Sequence, residues 1–243
     1  MAISVNTVYQ RVLGVLNKEQ RGYVTAQEFN LFANQAQQDL FEQYFYDINQ
    51  FGRVPGNDTE YSDMLTLLNE KINIFETTAA PIRNSGYFVA PADLYRLGTV
   101  VYKNTTTNSF GTSSTEHIEA ERINANEFLY INSSPLTKPT NTRPVFTSNA
   151  NGIKVYANSE IDNAALVDYQ YIKKPATVKW AYQIVFNEPL YDANNSVNFE
   201  LHPADEADLV IKILELAGIL IKDLNLYQVM NQEEQETIQQ EKA

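Results

Sequence analysis

The chain holds two histidines, and each stands near carboxylates. His117, Glu119 and Glu121 recur at every second position, so in an extended strand all three would share one face. There an imidazole nitrogen and carboxylate oxygens could ligate a divalent metal. The same alternation also describes an exposed polar strand face, which is the expectation here. His202 precedes Pro203, Asp205 and Glu206, the arrangement of a residue that opens a helix, with ligation or general-base work as the alternative. Asp192, Asn194, Ser196 and Asn198 place oxygens at alternate positions, like the start of a calcium loop. Such a loop needs glycine where Val197 stands and a bidentate glutamate where Pro203 stands, so an asparagine-rich turn is expected instead.

Other chemistry finds less support. No glycine is followed by lysine and no G-x-G pair exists, so the phosphate-cradling turns of nucleotide enzymes are missing. The G-x-S-x-G elbow of hydrolases is missing as well. With no cysteine there is no disulfide, thiolate ligand or thiol nucleophile. No enzyme activity, cofactor or metal is expected, and no catalytic residue is nominated. Lys173, Lys174 and Lys179 flank Pro175 without interleaved aromatics, which reads as solvated residues or an interface patch rather than a nucleic-acid groove.

These residues must be positioned by a globular fold. The sequence has 243 residues, is 44% apolar and only 20% charged, enough to bury a core and too little charged to stay disordered. The net charge is −12. It is concentrated at the two ends: residues 1–75 hold nine acids and five bases, residues 76–199 eleven and ten, and residues 200–243 ten and three. A nonspecific grip on nucleic acid or an anionic membrane would work against that field. The N-terminus lacks a basic signal-peptide region, and the apolar run 209–224 is broken by Lys212, Glu215, Lys222 and Asp223. Neither signal-directed secretion nor a membrane span is expected.

The ends have helical periodicity. Ser4 caps a first helix with its stripe at Val5, Val8, Val12 and Val15. Thr25 to Glu28 forms a capping box that opens a long helix with Phe29, Phe32, Ala33, Ala36, Leu40, Phe41, Tyr44 and Phe45 on one face. A third helix carries Tyr61, Leu65, Leu68, Ile72 and Phe75. The segment Leu209 to Leu224 has an apolar face broad enough for two neighbours, which places it back in the N-terminal bundle. Beyond Leu226 the sequence is helix-compatible with almost no apolar face.

The middle alternates with the period of strands. Leu97, Thr99 and Val101 oppose Val100 and Tyr102, and Val167, Tyr169 and Tyr171 oppose Asp168 and Gln170. Asn151-Gly152 signals a type I′ hairpin, and Asn124 with Glu127 caps a short helix. Residues 104–115 are polar, uncharged and read as a mobile loop. The fold expected is α+β: a helical bundle of N-terminal helices (1–80) and a returning long C-terminal helix (201–243), with an inserted, mainly antiparallel β domain (81–200).

Several stretches resemble virion structural proteins of tailed phages, especially crAss-like and marine podovirus-type phages. They are Ser4 to Tyr9, Leu16 to Asn30, Ser134 to Pro139, Tyr171 to Pro175 and Phe199 to Pro203, and the resemblance spans nearly the whole chain. It implies an adaptor-like subunit of a homo-oligomeric, dodecameric ring in the head-to-tail connector or tail barrel, adjoining the portal protein and other tail ring proteins. DNA would pass through without specific binding, and the protein would be made in the bacterial cytoplasm and reside in the virion. The candidate interface residues are Phe110, Lys173, Lys174, Lys179, Tyr227, Met230, Glu233, Glu234 and Ile238. Acidic helices facing a lumen would repel phosphates, while the same charge also serves solubility before assembly. A glycan-binding or host-attachment module is the alternative, since fifteen tyrosines could supply faces for sugars.

Overall fold

A computed structural model describes residues 2–18, 24–51, 59–107, 113–186 and 188–221, together with 229, 232, 233 and 235. The chain is α+β and divides into two compact units, one of residues 1–74 with 175–243, the other of residues 75–174. The inserted β domain is thus narrower than the expected 81–200. Residues 175–200 belong to the helical unit, for a reason visible in their backbone hydrogen bonds.

The helical unit contains α1 (Val5–Lys18), α2 (Ala26–Phe51), α3 (Thr59–Asn73) and α5 (Glu206–Ile221), with α4 lying in the other unit. Helix α2 opens on the expected capping box: Thr25 N–H donates to Glu28 Oε2 at 2.8 Å, and Glu28 N–H donates back to Thr25 Oγ1 at 3.3 Å. The Thr25 N–H and the Thr25 hydroxyl, both donating to Glu28 Oε2, hold the Glu28 carboxyl below its ordinary pKa. Phe29, Ala33, Ala36, Leu40, Phe41 and Tyr44 are buried, and α5 packs on α1 and α2 through Leu209, Ile213, Leu214 and Ala217. On α1 the stripe drifts: Val15 is exposed and Leu16 takes the buried position, because a 3.6-residue period carries the face from Val12 to Leu16. Among the described residues no helix is long and apolar enough to cross a membrane.

Residues 176–180 run extended along α2, where no strand pairs with them. At Ala176, Val178 and Trp180 side chains satisfy the backbone instead. Trp180 N–H donates to Asn30 Oδ1 at 2.7 Å while Asn30 Nδ2 donates to the Trp180 carbonyl at 3.2 Å. Val178 is held by Asn34 in the same two-sided way, at 2.8 and 2.9 Å. Gln37 Nε2 donates to the Ala176 carbonyl at 2.9 Å, and its Oε1 accepts from Glu200 N–H. Lys179 and Val197 exchange backbone bonds, Phe199 N–H donates to the Ile3 carbonyl, and Asn198 Oδ1 accepts from Val5 N–H. Every one of these partners lies in the helical unit, so the segment folds with it. Within this return path β10 (Tyr182–Val185) and β11 (Glu188–Tyr191) form an isolated antiparallel hairpin.

The other unit holds two sheets. One has order β1-β9-β4-β5, from β1 (Glu76–Ala79), β4 (Leu94–Thr107), β5 (Ser113–Glu119) and β9 (Val167–Lys173), all antiparallel. The second has order β2-β3-β8-β7-β6, from β2 (Ile82–Asn84), β3 (Tyr87–Val89), β6 (Glu121–Arg122), β7 (Val145–Asn149) and β8 (Gly152–Tyr156). Helix α4 (Ala125–Ser133) lies between β6 and β7 in sequence. Phe88, Val100, Phe146, Val155, Val167, Tyr169 and Tyr171 form the core.

Two local expectations are corrected. Leu97 and Val100 both pack toward the core although they lie three residues apart, because a bulge at Gly98-Thr99 sets two residues against Gln170. A Cβ on Gly98 would stand 3.0 Å from the Gln170 carbonyl oxygen. The β7–β8 hairpin forms, but its two-residue connection is Ala150-Asn151, and Gly152 already pairs with Asn149. Gly152 is needed for another reason. It has φ +133°, and a Cβ there would meet the Phe88 carbonyl at 2.6 Å.

The side-chain bonds in both units carry measurable stability. Replacing Asn34 by Ala removes both bonds to Val178, and urea unfolding should show a loss of about 1–3 kcal/mol. An unchanged midpoint would mean that water replaces the amide at no cost. Tyr169 is fully buried and donates to the Phe88 carbonyl at 3.1 Å, and burial pushes its phenol well above the ordinary tyrosine range. Its contribution is complete below the unfolded tyrosine pKa of about 10 and is lost as pH rises toward the folded value. Tyr169→Phe should therefore be less stable than the parent near neutrality, and should lose less stability on going from about pH 9 to about pH 11. Parallel pH slopes for the two proteins would refute this assignment.

Candidate functional site

His117, Glu119 and Glu121 do not converge. His117 and Glu119 lie on β5, paired with Lys103 and Val101. The chain then changes sheets at buried Ala120, so Glu121 pairs with Val145 in the other sheet. All three residues are exposed. Among the described residues no three His, Asp or Glu side chains group as a metal site would require.

His202 opens the turn before α5. Its Nδ1 accepts from Ala204 N–H at 3.2 Å, with Pro203 in the first turn. The oxygens of the 192–198 segment serve the turn itself: Asp192 Oδ1 accepts from Asn194 N–H, and its Oδ2 accepts from Asn195 Nδ2 and Gln183 Nε2. The Asn195 and Gln183 bonds hold the Asp192 carboxyl below its ordinary pKa. Ser196 Oγ donates to the Asp192 carbonyl and accepts from Ala181 N–H.

The basic residues occupy separate places. Lys173 ends β9 and Lys174 follows it in the β unit, while exposed Lys179 lies on the extended segment of the helical unit. Glu233 is exposed and helical. Phe110, Tyr227, Met230, Glu234 and Ile238 lie outside the described residues. So does most of the tail expected to continue the last helix.

The expected loop at 104–115 is largely strand. Register continues through Thr105↔Thr115, Thr106↔Ser114 and Thr107↔Ser113, past the last β4–β9 pair at Tyr102↔Val167. The Thr105 and Thr115 hydroxyls lie 3.3 Å apart. The result is a two-stranded ribbon continuing beyond the sheet, with Thr105, Thr106, Ser113, Ser114 and Thr115 exposed and no charge in the sequence over 104–115.

The outer face of the same sheet carries a hollow of about 670 Å³ over Gly98, lined by Thr77, Thr78, Thr99 and Gln170. Tyr171 also borders it, but its ring is buried and its hydroxyl is committed to Asp93 at 3.1 Å. No open aromatic face is offered there for a sugar.

Sequence reasoning missed a buried polar cluster. Asp205 accepts from Tyr44 Oη at 2.5 Å and pairs with Lys71 Nζ at 2.7 Å, and Lys71 sits 5.5 Å from the centroid of the Tyr44 ring. All three are buried. The signal was present: Lys71 stands three residues after Leu68 and beside Ile72, on the apolar face of α3.

No protein-family model matches this chain, and the search of curated proteins finds no match to it.

The cluster reads as structural cement, and its removal gives the test. Lys71→Met leaves Asp205 charged and buried, which should cost about 3–5 kcal/mol in urea unfolding, whereas Lys71→Met with Asp205→Leu should regain most of that loss. Equal destabilisation by the single and double variants would show that packing, not pairing, carries the effect.

Proposed function

We propose that this chain is a virion structural protein of a tailed phage, one subunit of a dodecameric ring in the head-to-tail connector or tail barrel, with no catalysis. Its partners are further copies, the portal protein and other tail ring proteins. DNA passes through the ring without specific binding.

The observation that carries this reading is the β4–β5 ribbon. Two strands alone are marginally stable in water, yet three rungs of uncharged Ser and Thr run beyond the last β4–β9 pair. Such an arm gains stability against another chain, and the lack of charge lets it approach a like-charged copy. The acid surplus fits a conduit that must not hold phosphate. The glycan-binding alternative draws no support from the hollow over Gly98, which offers hydroxyl and amide groups without an open ring face.

Native mass spectrometry across concentration, with negative-stain images of the heavier species, should reveal a closed ring. Truncation after Leu226 should leave a subunit of unchanged thermal midpoint that fails to join ring or neighbours. Retained assembly would remove the tail from the interface. A strict monomer at every concentration would move the assignment to the glycan-binding module, to be pursued with a saccharide screen.

A further inference from the structure

Two surfaces of this chain expose apolar side chains where a monomer has no use for them. The first is the β10–β11 hairpin. Ile184, Phe186 and Leu190 are 72%, 97% and 61% exposed, and Phe186 is held at φ +51°, a backbone region that bulky residues rarely adopt. The second is α4 and the turn after it. No residue of α4 is buried, and Leu129, Tyr130 and Leu136 are 66%, 79% and 88% exposed. The Lys138 N–H to Ser134 carbonyl bond and the Thr137 Oγ1 to Ile131 carbonyl bond fold that turn back against the helix end. Beside α4 lies a hollow of about 290 Å³, walled by Phe128, Tyr156 and Pro139, with Lys138 and Ser159 on its lining. Phe128 and Tyr156 stack at 4.0 Å, which fixes the wall.

We infer that the hairpin of one copy seats Phe186 in the α4 hollow of a second copy. A cavity of about 150 Å³ already accepts a benzene ring, so the hollow has room for a phenyl group.

Charge identifies the occupant as this same chain. A copy of net charge −12 approaching another must place the contact where acid is absent. Residues 182–187 and 128–137 carry no charge at all. The hairpin's one charged residue is Glu188, and the hollow presents Lys138. The hollow's own acid, Glu160, is engaged by Lys154 at 3.0 Å.

Area sets the character of the contact. Each surface offers on the order of 450 Å² of apolar area, against about 800 Å² per partner in a standard stable interface. A single contact is therefore weak, and because hairpin and hollow are different surfaces, the contact is head-to-tail and can close into a ring. This inference rests on the ring reading above and names two faces of its interface.

The absence of cysteine allows a clean test on the full chain. Val185→Cys, which keeps Phe186 beside it, and Ser159→Cys variants, mixed under mild oxidation, should give a disulfide-linked dimer at least tenfold above the pair Val185→Cys with Ser148→Cys, an exposed position on β7. A chain carrying both Val185→Cys and Ser159→Cys should give a ladder of linked species. Phe186→Asp should raise the concentration needed for association at least tenfold without changing the thermal midpoint. Equal cross-linking by both pairs, or rings that survive Phe186→Asp, would overturn the hairpin contact and leave the ring standing. No cross-link and no species above monomer at any concentration would remove both.

Discussion

An extended segment inside a helical unit has a problem that the rest of that unit is arranged to solve. Residues 176–180 need partners for their amides and carbonyls, since burying unpaired backbone groups costs more than most packing contacts return. Helix α2 supplies them by presenting Asn30, Asn34 and Gln37, spaced four and three residues apart, as a substitute strand edge. The match is geometric. Four helical residues rise about 6.0 Å and two strand residues about 6.7 Å, so successive amides on α2 meet alternate residues of the strand with a mismatch small enough for side chains to absorb. The pairing fixes Trp180, whose ring lies 4.0 Å from that of Tyr9 and whose Nε1 donates to Asn6. It also sets the path of the chain from Ala176 through the β10–β11 hairpin to Glu200, and so into α5. The amides share this task with the Lys179–Val197 and Phe199–Ile3 backbone bonds nearer Glu200.

The Lys71, Asp205 and Tyr44 cluster does for α3 what the amides do for the strand. Packing alone would let α3 slide along α2, since Leu68 and Ile72 offer nothing directional. A buried ion pair adds little net stability over an apolar substitute, but it punishes every arrangement that leaves one charge alone. Asp205 stands at the start of α5, and Tyr44 stands on α2, so three helices share one polar point. In the β unit the directional constraints are steric instead. Gly98 and Gly152 sit where neighbouring carbonyls approach too closely for a side chain, and these two contacts fix the bulge in β4 and the β3–β8 pairing.

Much of this was legible in the sequence, and the failures share a cause. The helices, the capping box at Thr25, the cap at His202, the strands at Val167 to Tyr171 and the insertion of a β unit all follow from local periodicity or local hydrogen bonding. What periodicity misses is polar pairing across long sequence separation. Asn30, Asn34 and Gln37 occupy one face of α2 at helical spacing, yet nothing near them in sequence says that Val178 and Trp180 will be their partners. For the same reason local patterning sets the boundary of the β unit at residue 200, whereas the unit ends at Lys174. Lys71 on an apolar face was visible but had no identifiable counter-charge. The bulge at Gly98 broke the simple alternation of β4, because one extra residue moves every following side chain to the opposite face. The uncharged stretch 104–115 reads as a loop by composition, and only the long β4–β5 register makes 104–107 and 113–115 a ribbon.

The distribution of charge then acquires a meaning that composition alone could not give it. The two ends of the chain hold nearly all the acid surplus. The elements with no buried role, the ribbon, the hairpin tip and α4 with its turn, are nearly free of charge and rich in hydroxyl or apolar side chains. A subunit that only needed solubility would gain by distributing charge over its protruding parts, where it is best solvated and most effective against collision. Here these exposed elements are left neutral and the charge is concentrated elsewhere. On the ring reading proposed above, that pattern would let repulsion set the distance of wrong approaches and leave the neutral elements as the places where approach is permitted. On the same reading each neutral patch is small, so no single contact would commit a pair, and closure of many weak contacts would do so together.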